Sequence, residues 1–171
     1  MFTDQSFQVN TNKLNTDPVA SQNTTPNNKF IFEEIEGNLF ADAQENSSLA
    51  HCVSEDFKMG KGIAKIFKHK YQGVEELVNQ HKKIGQTATL KRGNRYIFYI
   101  ITKKKYYQIP KPEDFELALW DLRKVCEELN VKHLSLPRIG TGLDKFPLEY
   151  VINAITKIFE GCDMRMTMFY L

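Results

Sequence analysis

The sequence predicts an α/β fold, a three-layer α/β/α sandwich with a mixed central sheet, and two observations carry this prediction. First, strand-like runs alternate with amphipathic helical stretches along residues 30–171. Second, one pair of strand-like runs is joined by the turn-forming residues Arg92, Gly93 and Asn94, which makes that pair antiparallel. A chain of 171 residues with 42% hydrophobic content is enough for one such domain and crowded for two.

The first half of the domain is predicted to contain two strands, a glycine loop and two helical stretches. FIFEEIEG (30–37) is predicted as a strand because aromatic and branched residues run up to a glycine. SSLAHCVS (47–54) is a short apolar run typical of a buried strand, and in FKMGKGIAKIFKHKY (57–71) two glycines precede a helical pattern. A second amphipathic stretch, GVEELVNQHKKIG (73–85), is predicted to end at its last glycine.

The second half begins with the predicted hairpin, TATLKRGNRYIFYIITKKK (87–105). PEDFELALWDLRKVCEELN (112–130) is the clearest helix, because a proline and acidic residues precede an apolar stripe at helical spacing. VKHLSLPRIGTGLDKFP (131–147) repeats the pattern of a buried strand followed by a glycine loop. PLEYVINAITKIFEG (147–161) is predicted as the closing helix, and MRMTMFYL (164–171) as the final strand.

Residues 1–29 are predicted to be a flexible polar tail outside the domain, because Asn, Thr, Gln, Ser and Asp dominate them. No stretch approaches the ~20 apolar residues that span a bilayer, and the N-terminus lacks the order of charges and apolar residues found in secretory signals. We therefore expect an intracellular protein, in the nucleus, the cytoplasm or both, with no membrane partner.

Charge and cysteine content restrict the function classes further. The formal net charge of +2 gives no global field that argues for nucleic acid, so an anion site must be local. The cysteines, Cys52, Cys126 and Cys162, are odd in number and widely spaced, which suits neither a disulfide framework nor a metal knuckle. We expect reduced cysteines that pack in the core, and no structural metal.

Two glycine loops lie where an open α/β sheet binds its ligands, between the end of a strand and the start of a helix. They are SEDFKMGKGIA (54–64) and PRIGTGLD (137–144). Backbone N–H groups in such loops can approach a diphosphate, and the following helix presents its positive end. Alternatively, the glycines serve only the turns. Neither loop matches a P-loop or a complete GxGxxG fingerprint, which disfavours an ATPase or a dinucleotide-dependent dehydrogenase.

Four motifs together resemble one family. EGNLF, SLAHCVSEDFKMGKGIA, YIFYIITKK and LSLPRIGTGLD, in this order and at these separations, resemble the macrodomain class of the terminal ADP-ribose protein glycohydrolase, also described as an O-acyl-ADP-ribose deacylase. The resemblance covers residues 30–171. It implies a mixed sheet of about six strands, an ADP-ribose cleft, removal of ADP-ribose ester-linked to Asp or Glu side chains of proteins, and deacylation of O-acyl-ADP-ribose, without metal or cofactor.

The resemblance also implies the site residues. Lys103 corresponds to a lysine that attacks the anomeric carbon of the distal ribose, and Asp144 to an aspartate that assists and then releases the adduct. Ser54 corresponds to a ligand-contacting serine that is also a candidate nucleophile. The implied ligand-binding residues are Asn38, Leu39, Ser54, Met59, Gly60, Gly62, Ile63, Arg138, Ile139, Gly140, Thr141, Gly142, Leu143 and Leu171.

The residues themselves leave alternatives open. Lys103 is followed by two further lysines, whose charges would disfavour protonation of its amine if they lay close, yet a lysine run is also typical of a solvated strand end. Asp144 can act as a base or as a helix cap. For Ser54 no base is evident nearby, since His51 would point to the other face of the strand, so His51 is predicted as a satisfied core or loop histidine.

One position departs from the family pattern. Macrodomains usually have an aspartate where this chain has Asn38, and its carboxylate accepts a hydrogen bond from the adenine amino group. Asparagine keeps an acceptor oxygen and loses the charge assistance, on the order of 1 kcal/mol. Leu39 and the C-terminal Leu171 match positions that line the adenine end.

Two other functions compete with the hydrolase. A non-catalytic reader of ADP-ribose or poly(ADP-ribose) would need no lysine and aspartate together. A nucleic-acid-associated protein is suggested by the lysines of residues 58–70 and 103–105, but no base-stacking aromatics are evident beside them. The predicted partners are thus ADP-ribose, mono- or poly-ADP-ribosylated proteins and O-acyl-ADP-ribose, with nucleic acid not expected as the primary ligand and the chain expected to be a monomer.

Overall fold

The computed structural model describes residues 29–171, so the predicted tail lies outside the described residues except for Lys29. This part of the chain contains six strands and five helices. In chain order they are β1 (Ile31–Glu36), α1 (Leu39–Asp42), β2 (Ser48–Ser54), α2 (Gly62–Tyr71), α3 (Val74–Val78), β3 (Thr87–Arg92), β4 (Arg95–Lys103), α4 (Pro112–Glu128), β5 (His133–Pro137), α5 (Leu148–Ile158) and β6 (Arg165–Tyr170).

The strands form one mixed sheet in the order β1-β6-β5-β2-β4-β3. β1, β6, β5, β2 and β4 run parallel to their neighbours, and β3 pairs antiparallel with β4 through the predicted hairpin, where Arg92 faces Arg95. The carboxyl ends of the five parallel strands therefore meet at one edge of the sheet. Both predicted glycine loops leave from this edge, after β2 and after β5.

Helices cover both faces of the sheet, which confirms the predicted three layers. On one face, α4 and α5 bury residues such as Phe115, Leu122 and Ile155 against β4, β5 and β6. On the other face, α2 and α3 bury Phe67 and Leu77 against β2, β3 and β4. Burial of these apolar stripes, rather than helix propensity, holds the layers together.

Two local features differ from the sequence-based expectations. The amphipathic stretch at 73–85 is helical only in α3, because Gln80 turns towards the edge strand β3. Its Nε2 donates to the carbonyl of Thr89 at 2.8 Å, and its Oε1 accepts from the N–H of Thr89 at 2.9 Å. The helix α1 was not predicted, and it forms because the side chain of Asn38 caps its N-terminus.

Among residues 29–171, no helix combines the length and the apolar character needed to cross a membrane.

Candidate active site

Lys103 and Asp144 meet at the carboxyl edge of the sheet. Lys103 is the last residue of β4, and Asp144 lies in the loop after β5. The Nζ of Lys103 donates to the Oδ1 of Asp144 at 2.6 Å, and their side chains are only 12% and 13% exposed. Because β2 lies between β4 and β5 in the sheet, this ion pair spans the end of β2. The lysine and the carboxylate are therefore close enough to exchange a proton.

The first loop, residues 54–62, is anchored by side chains that point into the core. Phe57 and Met59 are both buried, and both have left-handed backbone conformations, with φ of 48° and 43°. Such strain in non-glycine residues persists only where surrounding contacts hold it. Gly62 also has a positive φ, and a Cβ there would meet no atom within 4 Å, so the backbone is open where α2 begins.

Ser54 ends β2 at the base of the first loop and is almost completely buried. Its Oγ donates to Asp56 Oδ1 at 2.5 Å. Partial burial acts to raise the pKa of Asp56, but hydrogen bonds from Ser54 and from the backbone of Lys58 and Tyr106 hold that pKa below its ordinary value. Asp56 was missed by the sequence analysis. The available signal was an aspartate two residues after a serine, the spacing of a local side-chain turn.

The second loop, residues 138–147, is held mainly by its own backbone. The N–H of Phe146 donates to the carbonyl of Gly140 at 2.8 Å, and the N–H of Lys145 donates to Gly142 at 3.1 Å. Gly140 has φ of 73° and lies directly on the rings of Phe115 and Phe146. By contrast, a Cβ on Gly142 would meet nothing within 4 Å. The loop therefore presents open backbone beside Asp144.

The predicted adenine end lies at the carboxyl ends of β1 and β6. The Oδ1 of Asn38 accepts from the N–H groups of Phe40 and Ala41 at 2.9 and 3.3 Å, as the N-cap of α1. The oxygen predicted to accept from adenine is thus already engaged, and its contact with adenine stays a prediction. Leu39 is buried, whereas Leu171 is 94% exposed.

Arg138, predicted to bind the ligand, is held near the predicted adenine end by contacts with residues of β1 and β6. Its guanidinium lies 3.9 Å from the ring centroid of Tyr170 and pairs with Glu34 at 3.1 Å. Thr141, also predicted, donates its hydroxyl to the carbonyl of Arg138 at 2.8 Å. These contacts restrict the side chains to the rim of the second loop.

The remaining predicted residues divide by exposure. Met59 and Ile139 are buried, so they can reach a ligand mainly through their backbone. Gly60 and Leu143 are exposed, and Ile63 is half-buried at the start of α2. The described structure thus brings all the predicted residues to one edge of the sheet, with Lys103 and Asp144 in direct contact. Their roles in binding stay predictions.

His51 is in the core, but it is not satisfied as predicted. Its ring stacks on Phe67 at a centroid distance of 3.9 Å and meets the edge of Tyr99, and neither ring nitrogen has a hydrogen-bond partner among the described residues. Burial lowers its pKa from 6.5 to about 3. A neutral, buried imidazole enclosed by aromatic rings is no base for Ser54.

Cys52 lies on β2 beneath the ion pair. Burial raises the pKa of its thiol well above the ordinary value, the negative charge of Asp144 adds to this shift, and the charge of Lys103 opposes it. A thiol that stays protonated is a weak nucleophile. This agrees with the predicted packing role of Cys52.

The profile of the Macro domain family matches residues 50–155, more than half of the chain. The chain belongs to the macro domain family, which confirms the predicted family.

Similar proteins of known name include an ADP-ribose glycohydrolase, OARD1, from Homo sapiens. It is 44% identical over 158 residues, which cover 92% of this chain and 97% of that protein. A DNA ADP-ribosyl glycohydrolase from Thermus aquaticus is 31% identical over 138 residues, covering 75% of this chain and 38% of that protein.

Among solved structures, the macrodomain of Thermus aquaticus DarG superposes with a TM-score of 0.72 at 28% sequence identity. The match covers 83% of this chain and 99% of that domain. The predicted macrodomain fold is therefore confirmed.

Proposed function

We propose that this protein is a hydrolase that removes ADP-ribose ester-linked to Asp or Glu side chains of proteins and also deacylates O-acyl-ADP-ribose. The hydrolase class agrees with the name of the human relative, which is similar over nearly its whole length. One observation carries the proposal most directly: the contact of 2.6 Å between Lys103 Nζ and Asp144 Oδ1 at the edge where the glycine loops meet. A protein that only bound ADP-ribose would have no need of this pair.

The pair supports a two-step reaction. Asp144 takes a proton from Lys103, and the neutral amine attacks the anomeric carbon of the distal ribose. The bond from that carbon to the ester oxygen breaks, and the protein carboxylate leaves with the electron pair. Water then cleaves the new carbon–nitrogen bond, with Asp144 assisting, and releases ADP-ribose and the free lysine. No metal or cofactor enters these steps.

The test is release of ADP-ribose from a glutamate-linked, ADP-ribosylated protein. Lys103→Ala and Asp144→Ala should each lower the rate by about 10³-fold, because each removes a proton-transfer or nucleophilic group. Lys132→Ala is the matched control, since this lysine is exposed and pairs with Asp163. Lys132 precedes β5 and Asp163 precedes β6, so the pair lies at the amino ends of these strands, away from the carboxyl edge. Full activity in both site variants would reject the mechanism. Binding of ADP-ribose without turnover of any ester would favour the reader instead.

A second candidate substrate is ADP-ribosylated nucleic acid, because exposed aromatic rings do lie beside the lysines near Lys103, contrary to the sequence-based expectation. Lys58 Nζ lies 4.0 Å from the ring centroid of Tyr106, and Tyr107 is 71% exposed. Exposed rings beside lysines suit stacked bases and phosphates. A similar protein is named a DNA ADP-ribosyl glycohydrolase, and this chain spans 38% of it.

An ADP-ribosylated single-stranded oligonucleotide separates the two substrates. If nucleic acid is used, Tyr107→Ala should slow its turnover by about tenfold, the effect of losing one base stack, and leave the protein substrate unaffected. Equal effects on both substrates, or no turnover of the oligonucleotide, would reject this candidate.

A further inference from the structure

Asp56 joins two segments that flank the candidate site. Its Oδ1 accepts from the hydroxyl of Ser54 at 2.5 Å and from the N–H of Lys58 at 3.2 Å, both in the first loop. Its Oδ2 accepts from the N–H of Tyr106 at 3.4 Å, in the turn that follows Lys103. One carboxylate thus holds the loop after β2 and the turn after β4.

Other contacts connect the same two segments. The N–H of Glu55 donates to the carbonyl of Lys103 at 2.8 Å, and the ammonium of Lys58 lies over the ring of Tyr106. The turn is closed further by Gln108, whose N–H donates to the carbonyl of Lys105. Asp56 is the only side chain in this network that hydrogen-bonds Ser54 among the described residues.

The direction of the Ser54 hydrogen decides what its oxygen can do. A hydroxyl has one donor, and the Ser54 donor is committed to the carboxylate of Asp56, so its remaining lone pairs can only accept. A diphosphate has no donors at neutral pH, whereas sugar hydroxyls do. Because its hydrogen bonds hold the pKa of Asp56 below its ordinary value, the carboxylate is a weak base, so it orients the serine and does not remove its proton.

Register places Ser54 next to the reacting end of the site. Ser54 is the β2 residue that pairs with Lys103 of β4 across a small irregularity, and Lys103 reaches Asp144 over this strand end. A sugar hydroxyl near the reacting carbon is therefore the nearest donor that a bound ADP-ribose could offer to Ser54.

We propose that Asp56 is a positioning residue, which makes Ser54 a hydrogen-bond acceptor for a hydroxyl of the distal ribose and fixes the turn that follows Lys103. This inference rests on the proposed function, because it takes ADP-ribose as the ligand. Asp56 acts through Ser54 and through the backbone of Tyr106, without touching the ligand itself.

The first experiment is a double-mutant cycle on ligand binding, measured by calorimetry with Ser54→Ala, Asp56→Ala and the double variant. Ser54→Ala should weaken ADP-ribose about fivefold, as for loss of one neutral hydrogen bond, and leave ADP, which lacks the distal ribose, unchanged. Asp56→Ala should weaken ADP-ribose about threefold in the presence of Ser54 and have no further effect in its absence. Additive effects, or an equal loss for ADP, would overturn the proposal.

The second experiment uses Asp56→Asn and measures kcat, KM and thermal stability together. The amide can still accept from Ser54, but its NH₂ group would face the N–H of Tyr106, so only the link to the turn is lost. We expect kcat to fall by about 10- to 100-fold through displacement of Lys103, with KM within about twofold and the melting temperature nearly unchanged. Unchanged kcat, or a loss of activity that follows a loss of stability, would overturn the proposed role of Asp56 in fixing the turn that follows Lys103.

These readouts separate the inference from the function on which it rests. If the wild-type protein binds ADP-ribose but hydrolyses no ester, the proposed function fails, and the binding cycle still tests the link from Asp56 to Ser54. If the wild-type protein hydrolyses the ester and the cycle is additive, the function stands and the role of Asp56 is rejected.

Discussion

The two glycine loops have similar sequences but are held in different ways. The first loop is anchored by buried side chains, Phe57 and Met59, and by the carboxylate of Asp56. The second loop is closed by backbone hydrogen bonds over an aromatic cluster, and its Leu143 is 67% exposed. A glycine pattern therefore predicts where a loop can approach a ligand, but it does not reveal what makes that loop rigid.

This difference assigns the loops separate tasks. The first loop is part of the core, so changing its anchors should affect stability as well as function. The second loop carries Asp144 at the end of an exposed turn, where the contact with Lys103 fixes the carboxylate. Changes there should act mainly on binding and catalysis.

The largest expected effect is on folding, from the buried anchor of the first loop. Phe57→Ala should lower the free energy of unfolding by about 3 kcal/mol, because it empties a fully packed site. Phenylalanine and alanine at position 57 have the same left-handed backbone strain, so the change in unfolding free energy reports the loss of buried side-chain packing. Leu143→Ala, in the exposed part of the second loop, should change stability by less than about 0.5 kcal/mol. Denaturant unfolding measures both, and equal losses would contradict the division.

Acid should weaken the part of the core beneath the first loop. His51 has a pKa of about 3 in the folded protein and 6.5 when unfolded, so below pH 6.5 the unfolded chain binds a proton that the folded protein does not. Stability from this residue is present above pH 6.5 and is lost as the pH falls, by about 2 kcal/mol between pH 7 and 5.

The matched variant for this pH dependence is His51→Phe, which keeps an aromatic ring against Phe67. The unfolding free energy of the wild type minus that of the variant should fall by about 2 kcal/mol from pH 7 to 5. Taking the difference cancels acid effects of other groups, such as Asp56. Parallel pH profiles would show that His51 is not the source.

Within the second loop, two glycines should respond differently to alanine. Gly142→Ala should leave stability unchanged and weaken ADP-ribose binding about tenfold, on the order of 1.4 kcal/mol, because its Cβ projects into open space where the ligand is predicted. Gly140→Ala should instead cost about 1 kcal/mol of stability, since φ is 73° and its Cβ would lie 3.0 Å from Phe146. Calorimetry and thermal melts separate the two outcomes. If Gly142→Ala binds normally, the ligand does not approach this backbone.

The smallest effect is expected outside both loops, at the adenine end. Asn38→Asp should tighten ADP-ribose binding by about 1 kcal/mol, because one carboxylate oxygen can cap α1 while the other accepts from adenine. Asn38→Ala should lose the cap and weaken α1. Unchanged affinity in Asn38→Asp would place the main binding energy in the two loops.

Much of the fold could be predicted from the sequence because its signals are local. The turn at Gly93 and Asn94 forms the predicted hairpin, and the apolar runs become β2, β4 and β5. Lys103 ends one of these runs and Asp144 follows another, the resemblance implied both as site residues, and the structure places their side chains in contact. Their chemical roles stay predictions.

Other features could not be predicted because they depend on distant partners. The end of α3 is set by Gln80 bonding to β3, and the link from Asp56 to Tyr106 joins residues 50 positions apart. His51 was predicted as satisfied, but aromatic packing rather than hydrogen bonding surrounds its ring. Hydrophobic periodicity reports which face of an element is buried, and it does not report which neighbour covers it.

The strand order has a consequence for how the protein is made on the ribosome. Among residues 29–171, β1 pairs only with β6, so Ile31 gains a neighbouring strand only after Arg165 has been synthesised, more than 130 residues later. Until then the middle of the sheet can assemble while β1 has no template. The nascent chain should therefore complete the Lys103 side of the cleft before the Asn38 side exists.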